Sequence, residues 1–276
     1  IVPLGIGVKP YFNHLVVEDR DLGPSNCLSS GKSMPKERVI NLYEKGLAIG
    51  KSSKQPILIS ESVPGGTTTA QAVMEAFGLR VSNLVGSSLF KAPRELRRKV
   101  VQKGLLNANL RTDSDPFDVV ASVGDPFQAF SMGLLIGARL ASQPVILSGG
   151  SQMLAVILLV LELLGAKNKD DFIEDVFIAT TGWLVKDNSL NDLLNLINEK
   201  YDTNLLGLAS TLNFKSSIYK ELKDYEIGHV KEGVGAGGIS ILAFLNGFKN
   251  DEIVSLCQQN LEMMKGLGQI SLEKDC

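Results

Sequence analysis

The chain has 276 residues, with 28 Lys and Arg against 30 Asp and Glu, and it carries no long block of one sign. This balance lacks the electrostatic footprint of a protein that binds nucleic acid or an anionic membrane, so we expect neither as a partner. The length predicts one domain over residues 1–276 with a sizeable core.

Cysteine usage and hydropathy indicate a cytoplasmic protein. The 3 cysteines, Cys27, Cys257 and Cys276, are far apart and lack the spacing of a disulfide framework or a zinc site. The longest apolar run, residues 153–161, is much shorter than the ~20 residues of a membrane span and predicts a buried helix. Because the sequence opens on Ile1 and not on Met, we expect an N-terminal piece to be missing from view.

The order of predicted elements indicates an α/β fold. Short, continuous apolar runs predict strands at residues 56–60, 119–123, 144–148 and 176–180. Helical patterns follow them at residues 67–77, 126–141, 151–164 and 190–200. This alternation predicts a mostly parallel sheet flanked by helices, in a Rossmann-like three-layer arrangement with a small helical appendage. We expect residues 202–229 to form a cap over the sheet edge and residues 251–266 to form an amphipathic helix.

Two glycine-rich turns, each with a carboxylate, lie far apart in the chain, at residues 61–69 and 231–238. The first turn stands between a predicted strand and a predicted helix, as do residues 123–126 and 148–151. Ligands of open α/β sheets bind beyond the carboxyl ends of the strands, where helix N-termini supply backbone donors. We therefore expect these turns to enclose one pocket that holds a nucleotide phosphate.

Other chemistry has weaker support in the sequence. Gly233, Gly235 and Gly238 match G-x-G-x-x-G, but the preceding segment is a poor strand and no acid stands about 20 residues later. A dinucleotide-dependent oxidoreductase stays open as an alternative on these glycines. His14 and His229 are the only histidines, too few for a His-based metal site, and we expect neither a metal nor a cofactor.

Taken in order, these motifs resemble the nicotinate-nucleotide:dimethylbenzimidazole phosphoribosyltransferase family, and most closely a divergent branch of it. In the better-known bacterial enzymes the first motif reads Glu-Met-Gly-Ile-Gly-Asn-Thr-Thr. Here Gly66 stands in place of the Asn, and the matching positions are Glu61, Gly65, Thr67 and Thr68.

The second motif of that family reads Gly-Glu-Gly-Thr-Gly-Ala. Here Lys231 and Val234 depart from it, and the matching positions are Glu232, Gly233, Gly235 and Ala236. Because the motifs depart in places, a nucleotide- or base-binding protein on the same scaffold, without transferase activity, is the leading alternative.

The resemblance implies a transferase of the cobamide pathway that moves the phosphoribosyl group of nicotinate mononucleotide to a benzimidazole-type base and releases nicotinate. It implies Glu232 as general base, Lys99 as a countercharge for the phosphate, and a homodimer, for which the apolar helix at residues 153–161 is one candidate contact. The residues expected to bind the nucleotide and its phosphate are Glu61, Gly65, Gly66, Thr67, Thr68, Lys99, Gly124, Asp125, Ser148, Gly149, Gly150, Gly233 and Gly235.

Overall fold

A four-stranded parallel sheet organises the described residues of this computed structural model, which are 1–8, 10–86, 93–165, 169–186 and 189–272. The strands are β1 (Ile57–Ile59), β2 (Val145–Ser148), β3 (Val176–Thr181) and β4 (Leu206–Ser210). They lie in that order across the sheet, so each strand pairs with the next one in the chain. The predicted α/β class, with a parallel sheet flanked by helices, is confirmed.

Helices lie between the strands in the chain, and also before β1 and after β4. They are α1 (Lys36–Ser52), α2 (Gly66–Ala76), α3 (Arg94–Ala108), α4 (Pro116–Val123), α5 (Pro126–Leu140), α6 (Ser151–Leu164), α7 (Lys169–Ile173), α8 (Gly182–Val185), α9 (Ser189–Tyr201), α10 (Lys220–Lys223), α11 (Ala236–Leu245) and α12 (Asn250–Leu272). The predicted bounds of α2, α5, α6 and α9 hold within one or two residues.

Helix α6 forms the centre of the core. Every residue from Ser151 to Leu161 is buried, and those from Met153 to Val160 have 0% of their surface exposed within the single chain. The apolar run of the sequence is therefore a core helix, as predicted, and it is not a surface for a second subunit. Burying each leucine of this helix contributes roughly 1.5–3 kcal/mol to folding.

A second, smaller apolar cluster surrounds the only tryptophan of the chain. The Trp183 ring stacks on Phe214, with ring centroids 5.3 Å apart and planes 17° from parallel, and Tyr225 packs against both rings. Val254 of helix α12 closes this cluster. The C-terminal helix is thus attached beside β3 and α8, which agrees with the small helical appendage.

The strand predicted at residues 119–123 is wrong, because this segment is the end of helix α4. The Asp115 carboxylate accepts a hydrogen bond from the backbone N–H of Phe117 at 2.7 Å, and Pro116 occupies the first helical position. Val119, Val120 and Val123 have 0% of their surface exposed. Burial on all sides produces the same continuous apolar run in a short helix as in a parallel strand, and the capping sequence decides between them.

Strand β4 lies inside residues 202–229, the segment that the sequence analysis expects to form a cap. Its side chains are more exposed than those of a central strand, with Leu206 at 51% and Leu208 at 39%. Gly207 also lowers the strand propensity of this segment. An edge strand of this composition lacks the buried apolar run used to find the other strands.

Two further findings concern the chain as a whole. Among the described residues, none of the helices combines the length and apolar character needed to traverse a bilayer. Cys27 and Cys257 carry free thiols, and Cys276 lies outside the described residues.

Truncating a leucine in the centre of α6 tests the assignment of the core. Leu158 has 0% of its surface exposed, so Leu158→Ala leaves a cavity and should lower the free energy of unfolding by roughly 2–5 kcal/mol. Leu106, which is 80% exposed on α3, is the matched control, and Leu106→Ala should change this quantity by less than about 0.5 kcal/mol. Denaturant unfolding of both variants measures the difference, and equal effects would contradict the buried position of α6.

Candidate functional site

A cavity of about 400 Å³ opens at the carboxyl ends of strands β1 and β2. Residues 61–67, which follow β1, line one part of it, and residues 148–152, which follow β2, line another. Residues 230–235, which precede helix α11, complete the wall together with Gly86 and Leu184. The two glycine turns therefore face one shared cavity, although they lie far apart in the sequence.

Most of the site residues expected from the sequence line this cavity. They are Glu61, Gly65, Gly66, Thr67, Ser148, Gly149, Gly150, Glu232, Gly233 and Gly235. Four others are not among the lining residues, namely Thr68, Lys99, Gly124 and Asp125. The turn that contains Gly124 and Asp125 also connects two helices, α4 and α5, and does not follow a strand.

Helix α3 brings Arg97, and not Lys99, into contact with Gly86 of the cavity wall. Lys99 is exposed on α3, whereas Arg97 has only 5% of its surface exposed. The Arg97 guanidinium donates hydrogen bonds to the carbonyls of Val85 at 2.8 Å and of Gly86 at 2.7 Å, and Gly86 lines the cavity. The buried residues Arg97, Val101 and Gly104 have the spacing of one helix face, which is a signal that the motif alignment overlooks.

The carboxylate of Glu232 is bonded by donors from two elements. Its Oε2 accepts hydrogen bonds from the Thr180 hydroxyl at 2.9 Å and from the Thr181 N–H at 2.8 Å, both at the end of β3. Its Oε1 accepts from the N–H groups of Gly233 at 3.1 Å and Gly237 at 3.3 Å. Burial raises the pKa of Glu232 above its ordinary value, although these four donors act in the opposite direction.

The loop that carries Glu232 is strained. Val230 and Val234 adopt left-handed backbone conformations with φ of 49° and 54°, which β-branched residues rarely take. Each such residue costs roughly 1–3 kcal/mol, so other contacts must hold the loop in place. The hydrogen bonds of Glu232, and the bond from the Thr181 hydroxyl to the Lys231 carbonyl, are the contacts that join this loop to β3.

Helix α11 begins directly on strand β3. A Cβ atom at Gly237 would lie 2.0 Å from the carbonyl carbon of Thr180, a distance that no side chain tolerates. The glycine at this position therefore serves the packing of α11 on the sheet, which in turn brings its N–H within reach of Glu232.

A second buried carboxylate, Asp125, lies beneath the cavity with 2% of its surface exposed. It accepts hydrogen bonds from the Thr69 hydroxyl, from the Gln128 N–H at 3.0 Å and from the Gln152 amide at 2.8 Å. Burial raises the pKa of Asp125, and these hydrogen bonds oppose that rise. Asp125 thus fastens the starts of helices α2, α5 and α6 together. Two glutamines in otherwise apolar helices are the sequence signal for this network.

Glu61 completes a group of acidic side chains at the site. Burial is the largest cause of its raised pKa, and the negative charges of Asp125 and Glu232 raise it further. The backbone N–H of Val63 donates to the Glu61 carboxylate and opposes the rise. Because these carboxylates repel one another, a positively charged group bound near Glu61 and Glu232 would be stabilised.

Helix N-termini supply the opposite polarity. Helix α6 presents the backbone N–H groups of Gly150, Ser151 and Gln152 at the cavity wall, and within the described part of the chain these three groups have no hydrogen-bond acceptor. Gly65, the N-cap residue of helix α2, has a φ of 80°, a conformation that favours glycine. A phosphate can therefore bind at these helix starts.

The G-x-G-x-x-G spacing of residues 233–238 does not have the context of a dinucleotide site. The segment before it contains a short 3-10 helix, Asp224–Ile227, and a turn, in place of the strand that such a fingerprint follows. The structure gives no support to the oxidoreductase alternative on these glycines.

Comparison with known sequences places these features in a wider group. Residues 4–166 match the family model described as "Phosphoribosyltransferase". The chain is similar over its full length to a UPF0284 protein of Prochlorococcus marinus strain MIT 9312, with 94% identity over 276 residues that make up 72% of that relative. A UPF0284 protein of Parasynechococcus marenigrum strain WH8102 is 41% identical over 271 residues, which cover 96% of this chain and 68% of that one.

Two solved structures from Thermus thermophilus share the fold. One is described as nicotinate-nucleotide-dimethylbenzimidazole phosphoribosyltransferase, with 18% identity and a TM-score of 0.56 over 76% of this chain and 60% of that one. The other is described as CobT, with 17% identity and a TM-score of 0.60 over 88% of this chain and 65% of that one. The chain thus spans less than two thirds of the length of these structures.

Replacing Glu61 with glutamine tests the raised pKa. Since the folded pKa lies above the ordinary value of 4.5, the protonated acid favours the folded state. This contribution is full below pH 4.5 and is lost as the pH rises through the raised pKa. The free energy of unfolding of Glu61→Gln should therefore increase relative to that of the native chain as the pH rises. The difference should grow by at most ~1.4 kcal/mol per pH unit.

Denaturant unfolding over a pH series measures this gain, with Glu37→Gln, at an exposed position of α1, as the control. A Glu61→Gln curve that runs parallel to the native curve at all pH values would contradict the raised pKa.

Proposed function

The chain belongs to the phosphoribosyltransferase family whose model it matches, and from this premise we propose that it transfers the phosphoribosyl group of nicotinate mononucleotide to a benzimidazole-type base. The products are nicotinate and the α-ribazole phosphate. One observation carries the proposal, namely that the two glycine turns, with Glu61 and Glu232, line one cavity. The proposal includes a cytoplasmic homodimer, whose assembly state sedimentation of the purified chain can measure.

The polarity of the cavity fits a mononucleotide. The unpartnered N–H groups at the start of α6 and the glycine turn before α2 suit the 5′-phosphate. Glu61 and Glu232 suit the positively charged pyridinium ring and the cationic sugar that develops as its bond to the ring breaks. The substrate carries both a negative and a positive group, and the cavity offers partners for each.

The proposed reaction needs no activation of the leaving group. A ring nitrogen of the accepting base attacks C1′ of the ribose, and the bond between C1′ and the pyridinium nitrogen breaks with its electron pair moving to nicotinate. The second ring nitrogen of the base then loses its proton to the carboxylate of Glu232. Holding base and nucleotide side by side supplies much of the rate enhancement, because it replaces an encounter of two molecules by a fixed geometry.

Glu232 suits the role of general base because burial raises the pKa of its carboxyl toward the range in which proton transfer is efficient. The four donors that bond to it fill both of its oxygens. Proton transfer therefore requires the loop at residues 230–235 to give up at least one of these bonds. The strain at Val230 and Val234 lowers the cost of that movement.

A binding protein without transferase activity is the second candidate, and the same hydrogen bonds favour it. A carboxylate that serves only to fasten its loop to β3 would look as Glu232 does here. Saturable binding of nicotinate mononucleotide, without nicotinate release across a panel of benzimidazoles and purines, would support this candidate.

Glu232→Gln separates the two roles. If Glu232 is the base, kcat for nicotinate release should fall by roughly 10²–10⁴ in the variant. The affinity for nicotinate mononucleotide should fall much less, through the one backbone hydrogen bond that the amide NH2 cannot accept. A coupled assay of nicotinate release and calorimetric titration of the nucleotide measure the two quantities.

Two controls accompany this variant. Glu37→Gln removes a carboxylate from the surface of α1 and should leave both quantities unchanged. Glu232→Asp keeps the charge on a shorter side chain, so partial turnover there would show that a carboxylate is needed. Native kcat in Glu232→Gln would remove Glu232 from the mechanism.

A further inference from the structure

We propose that Gln152 is a phosphate-binding residue, whose side-chain carboxamide occupies the space that glycine at position 66 leaves open. The inference rests on the proposed function, because it assigns a group to the nucleotide that the cavity is proposed to hold. Gln152 is absent from the site residues that the motifs predict, and its assignment comes from packing, orientation and remaining hydrogen-bond capacity.

Residue 66 and Gln152 compete for one volume. A Cβ atom built on Gly66 would lie 2.6 Å from the Gln152 Nε2 and 3.2 Å from its Cδ and Cγ. Gly66 is helical and has no left-handed conformation to explain the glycine, so the close approach of the carboxamide explains it. Any larger residue at position 66 must displace Gln152.

The carboxamide of Gln152 is held in a fixed orientation. Its Oε1 accepts a hydrogen bond from the Gln128 Nε2 at 2.8 Å, and its Nε2 donates to the Asp125 carboxylate at 2.8 Å. Gln152 has 3% of its surface exposed, and Asp125 has 2%. Displacing the side chain would break both bonds and leave buried polar groups without partners, so the flexible glutamine cannot move aside at low cost.

One N–H of Gln152 keeps capacity for a ligand. The Nε2 has two hydrogens, of which the first bonds to Asp125. Among the residues that the structure describes, the second has only the Thr69 hydroxyl as an acceptor, at 3.5 Å, which is the limit of a hydrogen bond. Because Gln152 lines the cavity beside the N–H groups at the start of α6, a phosphate oxygen bound there is a better acceptor for this second N–H.

The motif comparison agrees with a carboxamide that is supplied from position 152 and not from position 66. The resembling family has Asn where this chain has Gly66, and both Asn and Gln end in a carboxamide. A carboxamide thus reaches the same part of the cavity from position 152, on α6, when position 66, on α2, carries none.

A double-substitution cycle tests the exchange. Gly66→Asn alone should lower the melting temperature and raise KM for nicotinate mononucleotide, since its side chain displaces Gln152. Gln152→Ala alone should raise KM about tenfold through loss of one hydrogen bond, with little change in kcat. Together, Gly66→Asn and Gln152→Ala should restore KM to within about threefold of the native value, because the two side chains no longer compete.

The matched control is Gly66→Ala combined with Gln152→Ala. It relieves the close contact at position 66 but supplies no carboxamide, so KM should stay raised. Nicotinate riboside, which lacks the phosphate, should bind equally to the native chain and to Gln152→Ala. A loss of riboside binding in that variant would contradict the phosphate assignment.

Besides a loss of riboside binding, three outcomes overturn the inference. They are additive effects of Gly66→Asn and Gln152→Ala, recovery of KM by the alanine control, and native KM in Gln152→Ala. If the native chain releases nicotinate, each of these outcomes overturns this inference and leaves the proposed function standing. A native chain that neither binds nor turns over nicotinate mononucleotide, by calorimetry and by the release assay, overturns the proposed function and this inference with it.

Discussion

The carboxylate of Glu232 joins two parts of the chain on which the shape of the cavity depends. It ties the loop before α11 to the end of β3 through the N–H of Thr181 and the hydroxyl of Thr180. The Ser148 hydroxyl also donates to the Gly235 carbonyl at 2.8 Å. Together these bonds hold the wall formed by residues 230–235 beside the glycine turn after β1, against the backbone strain at Val230 and Val234. In the proposed transfer, the group that holds this wall is also the general base.

Groups of opposite polarity meet at the site. Asp125, Glu61 and Glu232 are all acidic, and each is surrounded by hydroxyl, amide or backbone donors. The opposite polarity comes from the N-terminus of α6, whose first N–H groups are positive without any charged side chain. The cavity therefore offers carboxylates to a cationic group and backbone N–H groups to an anionic group.

The sequence predicts those features that depend on local pattern. Strands β1 to β3 and helix α6 follow from buried apolar runs, and the convergence of the glycine turns follows from their position after parallel strands. The helical nature of residues 119–123 and the existence of β4 depend on tertiary surroundings, which apolar pattern alone does not report. The burial of Arg97, which bonds to the carbonyls of Val85 and Gly86, follows from its place on the buried face of α3, and a motif alignment does not report which face of a helix is buried.

A motif records which residue stands at a position, but a ligand is bound by chemical groups in space. Gly66 looks like a loss when the first glycine turn is compared with the resembling family, because a side chain has disappeared. In the structure the vacated volume is filled by Gln152, whose orientation depends on Asp125 and Gln128 in two other segments. The three side chains act as one unit, since removing any of them leaves a buried donor or acceptor without a partner. A departure in one motif is therefore evidence of lost function only after the atoms that surround it have been examined.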